Sequence, residues 1–361
     1  MTGVKRSLPA LLLPTLYLIW GCGALFGGGV QGRLSETGLY SNSATKTVAS
    51  GIRRYEPQYP LWSDGALKRR WIYLPSGTQI INGSPDGTPT PAYRGNMDYW
   101  IFPIGTKFWK EFSFPNIAGC GRRRIETRFI TKTGPTTYEF SSYQWDEDET
   151  EAWLVSADGA KDVYKTGPGT THSIPSQADC VTCHNRGGDM VLGFDALQLS
   201  WDRDPLSPHA RPLGRRDLTL RDLIREKILT FVPIGMDRNP PRIVSATAEG
   251  RAVAGYLHAN CGNCHNPTGT AQFSYLNFRY PLATIDEASS PLFQTALNQV
   301  TGNLQIPGVS PTYRIRPGEP DHSAVIYAMM REGTLPMPPL GVGVVDFEAV
   351  ELIREWVRKL Q

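Results

Sequence analysis

A chain of 361 residues is long enough for two or three cores, and its 40% hydrophobic and 10% aromatic residues exclude the disordered and fibrous classes. The formal charge of +3 includes Lys5 and Arg6; leaving those two out of the 37 basic residues sets 35 against 34 acidic ones. Such a balance does not suit a nucleic-acid binder.

Residues 1–22 begin with Lys5-Arg6, continue through the apolar run from Leu8 to Trp20 and end in small residues, the order of a secretory leader. The run falls short of the about 18 residues that a spanning helix needs, and prolines interrupt it. Ile19-Trp-Gly-Cys22 also resembles a lipoprotein box, in which an acylated Cys22 would anchor the chain to a membrane. Residues 23–51 have the Gly- and Ser/Thr-rich composition of a tether.

Residues 52–176 predict a β-rich, sandwich-like domain. The segments 71–74, 99–102, 108–114, 125–130 and 137–140 are rich in aromatic and β-branched residues, with Gly and Pro turns between them. Asp146-Glu-Asp-Glu149 is calcium-like in composition only. An EF-hand loop needs glycine sixth and glutamate twelfth, where the chain has Glu151 and Ala157. The basic runs Lys68-Arg-Arg70 and Arg122-Arg-Arg124 could hold haem propionates or dock an acidic partner, but on the strand edges expected here such charge more often only discourages aggregation. Cys120 is expected as a buried thiol.

Beyond residue 176 helical patterns replace the strands, notably over Leu218–Leu229 and Phe347–Leu360. Residues 177–243 contain Cys180-Val-Thr-Cys183-His184, and residues 244–361 contain Cys261-Gly-Asn-Cys264-His265. Two cysteines three apart lie one helical turn apart, so each thiol can form a thioether to a haem vinyl group while the histidine supplies an axial ligand. A four-cysteine zinc site would have to bridge the 77 residues between Cys183 and Cys261 and has no use for either histidine. Redox dithiols would be oxidised after export. The expected cofactors are two covalently attached haem c groups on Cys180, Cys183, His184 and on Cys261, Cys264, His265.

The segment before Cys261 and the segment after Asp346 read as two helices packed around the second motif. Met337, held in Leu335-Pro-Met-Pro-Pro339, is the expected distal ligand there. For the first motif Met236, Met190, His172 and His209 compete, with Met236 preferred for its reach and its Pro/Gly setting. Met329, Met330 and His258 read as packing residues.

Several stretches resemble a family of exported two-haem c-type cytochromes with an N-terminal β-rich region, and residues 244–361 resemble class I cytochrome c. The matching stretches are Pro60-Leu-Trp-Ser-Asp-Gly-Ala66 with Lys68-Arg-Arg70, Phe102-Pro-Ile-Gly-Thr-Lys107, Glu126-Thr-Arg128, Tyr143-Gln-Trp-Asp-Glu-Asp148, Ile174-Pro-Ser176, Leu192-Gly-Phe194 and Met337-Pro-Pro-Leu-Gly341. Gln198-Leu-Ser200 departs from the Gln-Leu-Asn of the pattern. The resemblance implies mainly α-helical cytochrome c-type haem domains behind the β-rich one. It also implies a periplasmic or membrane-anchored protein that passes electrons between redox partner proteins. A peroxidase-like enzyme with one open haem, and a β-domain binding module with an electron link, are the alternatives.

Overall fold

The structure, a computed structural model, describes residues 31–83, 97–116, 119–184 and 191–361. The expected leader, Cys22 and Met190 lie outside the described residues. Twelve strands come first in chain order: β1 (Tyr40–Asn42), β2 (Thr47–Val48), β3 (Ile52–Tyr55), β4 (Leu67–Tyr73), β5 (Ile81–Asn82), β6 (Trp100–Ile101), β7 (Lys107–Pro115), β8 (Arg122–Lys132), β9 (Tyr138–Trp145), β10 (Ala152–Leu154), β11 (Ala160–Gly167) and β12 (Thr170–Ile174). Six of them form one antiparallel sheet in the order β10-β9-β8-β7-β4-β3; the other three pairs are two-stranded.

Strand periodicity gives the large sheet two unlike faces. Trp71, Trp109 and Phe129 are cross-strand partners on one face, with the last two rings stacked at 5.3 Å, and they pack with buried Leu34, Leu39 and Tyr40. Residues 31–51, expected as a tether, therefore help cover the sheet. On the other face Ile72, Phe108 and Ile130 form a row that packs with a core containing Trp100, Phe102 and Phe194. Two residues along each strand comes a second row on that same face, Arg70, Lys110 and Arg128.

Two expectations are corrected. The β-rich part is one six-stranded sheet with two-stranded pairs beside it, among them the β11–β12 hairpin that packs on it through Tyr164, and not a sandwich of two large sheets. The part behind it is not mainly α-helical. Among the described residues its helices are α1 (Gln177–His184), α2 (Leu220–Arg225), α3 (Ala248–Asn260), α4 (Pro291–Ala296), α5 (Ala324–Met329) and α6 (Phe347–Lys359), none longer than 13 residues. Proline and left-handed turns break the periodic patterns between them. The helix expected over Leu218–Leu229 shows how: Thr219 and Asp222 form a capping box that starts α2 late, and Lys227 at φ 56° follows its end. The basic runs also sit differently, because β4 and β8 are interior strands. Cys120 is exposed. Residues 31–361 form one compact unit, and among the described residues no helix is long and apolar enough to cross a membrane.

Helix α3 is buried on all sides from Gly250 to Asn260, although its sequence reads as amphipathic. One side packs with α6 in a core containing Val253, Leu257, Ile353, Trp356 and Val357. Another side meets Tyr59, whose ring lies so close to Gly255 that an added methyl would overlap it. Glycine normally costs a helix about 1 kcal/mol relative to alanine, so Gly255→Ala on an open helix would stabilise. Here overpacking reverses the sign: Gly255→Ala is expected to lower stability by about 1–3 kcal/mol in urea titration. An unchanged or higher midpoint would show that Tyr59 is not seated on α3.

Candidate functional site

Helix α1 follows the β11–β12 hairpin. Its start is held by Ser176 and Asp179, whose backbone N–H groups each donate to the other's side chain, at 3.0 and 3.1 Å. The side chain of Gln177 donates to the Phe140 carbonyl at 3.1 Å, and the ring of His184 lies 5.2 Å from that of Phe140. These contacts place the first motif along β9. The second motif continues α3. Thr247 caps the helix at Gly250 N, and Cys264 N and His265 N both donate to the Cys261 carbonyl, at 3.1 and 2.9 Å. Gly262 and Gly269 let this turn fold back on itself, since a side chain at either would overlap backbone atoms.

His265 is oriented by its surroundings. Ser274 Oγ donates to the Ala271 carbonyl at 2.8 Å, so toward His265 Nδ1, 3.2 Å away, it acts as acceptor. Nδ1 therefore carries the proton, and Nε2 is left as the acceptor nitrogen of a neutral ring. Burial, then the nearby Arg314, holds this imidazole below its ordinary pKa, so the neutral form dominates at pH 7.

Cys180, Cys183, His184, Cys261, Cys264, His265 and Met337 all line one cavity of about 930 Å³. The backbone of Met337 is fixed by donation to the Ala328 carbonyl at 3.0 Å. The second cysteine of each motif reaches the same point, where the Cys264 thiol neighbours that of Cys183. That contact, then burial, pushes the Cys183 thiol upward, and burial pushes Cys261 up to about 12 and raises Cys180.

The expectation of two covalently attached haem c groups, each in its own cytochrome pocket, is corrected by this arrangement. The described residues are β-rich with few helices, and among them no separate pocket of cytochrome type surrounds either motif. Among the described residues no group of three or more His, Cys, Asp or Glu gathers as a metal site. Spacing within a motif determines a helical turn; it does not determine which cavity the turn opens into, and here the two turns open into one.

The competing distal candidates are elsewhere engaged. Met236 packs against the core that contains Leu223 and Leu229 and does not line the cavity. Buried His172 bonds Glu126 Oε2 through Nε2 at 2.9 Å. His209 Nε2 bonds the Asp346 carboxylate at 2.8 and 2.9 Å and its ring lies 4.7 Å from that of Trp62. His258, read as a packing residue, is buried and its Nδ1 accepts from Tyr280 N at 3.0 Å.

The motifs did not disclose the cavity's charged wall, although strand alternation carries a signal for it. Arg128 lines the cavity and is held by fully buried Glu126 through two bonds, at 2.6 and 3.0 Å. Burial alone would raise the Glu126 pKa, but Arg128 and His172 outweigh it and hold the carboxyl at about 2. The folded value thus lies below the unfolded value of about 4.3, so this contribution is complete above about pH 4.3 and is lost as pH falls through about 2. Glu126→Gln is expected to cost about 3 kcal/mol at pH 7 by leaving Arg128 with a neutral partner. It should also flatten the loss of stability across that acid range in denaturant titrations; an unchanged pH profile would refute the pairing. Comparison of the chain with family models, with curated proteins and with solved structures finds no match.

Proposed function

We propose that this protein transfers electrons between redox partner proteins, through a redox group held where the two Cys-x-x-Cys-His segments meet. The observation that carries this reading is their convergence: segments 77 residues apart in sequence turn their cysteines and histidines into one cavity. Its volume of about 930 Å³ is at the upper end of the range typical of small-molecule and cofactor sites. His184, His265 and the four motif cysteines line it and supply imidazole and thiol donors to a group held there. The leader and the family resemblance read from the sequence support the same role outside the cytoplasm.

The test is to produce the full chain with its leader in cells that attach redox groups to exported Cys-x-x-Cys-His segments. The purified protein should be coloured, should change spectrum reversibly with dithionite and ferricyanide, and should exceed the mass of the bare chain. The added mass identifies the group. Cys180→Ala with Cys183→Ala, and Cys261→Ala with Cys264→Ala, should each reduce the colour. A colourless wild-type protein of bare-chain mass with no reversible redox change overturns the proposal.

A further inference from the structure

Arg70, Lys110 and Arg128 are direct cross-strand partners on β4, β7 and β8, and all three line the cavity. Like charges directly opposite one another destabilise a sheet, so such a row calls for compensation. Two of the three have it: Arg70 is 3.1 Å from Glu56, and Arg128 is paired with Glu126. Lys110 has no hydrogen bond or ion pair among the described residues; its ammonium lies 5.1 Å from the centroid of the Phe112 ring. Other parts of the cavity lining are apolar and include Phe140, Val191, Leu276, Phe278 and Met329.

We infer that the Arg70–Lys110–Arg128 row is an anion site within the cavity, taking the acidic substituent of a largely apolar group whose body rests on the hydrophobic lining. The inference rests on the redox reading for the identity of that group but not for its test. The electrostatics agree. Burial first, then Arg70, Lys68 and Arg128, holds the Lys110 amine well below the ordinary lysine range, with Glu126 acting in the opposite sense. An anion arriving between the two arginines favours the charged form of Lys110 and gives it a partner.

The experiment uses the full chain with Cys180, Cys183, Cys261 and Cys264 replaced by alanine, so that no group can be tethered in the cavity. Two fluorescent probes with the same ring system are titrated, the anionic 8-anilinonaphthalene-1-sulfonate and the uncharged N-phenyl-1-naphthylamine. Lys110→Met is expected to weaken the sulfonate by about tenfold or more, the loss of one charge-assisted contact, while Lys110→Arg retains it. The uncharged probe should bind all three proteins alike. Equal sulfonate affinity in Lys110→Met, or equal loss of both probes, overturns the inference. Neither probe reports on colour, so a redox-silent wild type and a failed anion site are distinguishable results.

Discussion

The site depends on a buried, irregular stretch of chain, Glu56 to Asp64, that joins the sheet to everything behind it. Buried backbone outside regular structure must find partners among side chains. Gln58 N donates to the Gln198 carbonyl at 2.8 Å, Tyr59 N to Gln198 Oε1 at 2.9 Å, and Trp62 N to Asn260 Oδ1 at 2.7 Å. Asp64 Oδ1 accepts from Gly343 N and Val344 N, at 2.8 and 2.9 Å. Asn260 immediately precedes Cys261, and the residues 343–344 follow the Met337 loop. One strap therefore sets the position of the second motif and of the loop opposite it. Gln198 makes its strap contacts itself, whatever stands at position 200.

The same strap leads into β4 and so into the charged face of the sheet. Holding three cations side by side is unfavourable, with Arg70 buried and Lys110 and Arg128 half-buried, and the fold offsets it in two ways. Glu56 and Glu126, both buried, neutralise the outer members, and the amine between them is depressed toward its neutral form. Glu126 is supported in turn by His172 from β12, the strand that leads into α1. The ion pairs and the placement of the first motif are thus parts of one connected structure.

Much of the local structure was legible in the amino-acid order. Aromatic and β-branched alternation located β4, β7, β8 and β9, and the stripe from Phe347 to Leu360 with Asp346 before it located α6, where Asp346 accepts from Ala349 N at 3.2 Å. These signals are local: a strand shows its period over a few residues, and a cap shows itself within one turn. Length was misread where breakers competed with periodicity, as at α2. Tether composition misled at residues 31–51, because Leu34 and Leu39 find a hydrophobic face that composition cannot display.

What the sequence determined by itself was the pair of Cys-x-x-Cys-His turns and the chemistry of their side chains, since adjacent residues cannot separate. Tertiary structure alone decided that the two turns share a cavity, that Cys183 meets Cys264, and that Arg70, Lys110 and Arg128 stand in a row along its wall. Each of those relations joins residues far apart in the chain. Cross-strand register and the packing of α3 on Tyr59 set them, and the free energy of either is spread over many contacts that no short stretch of sequence contains.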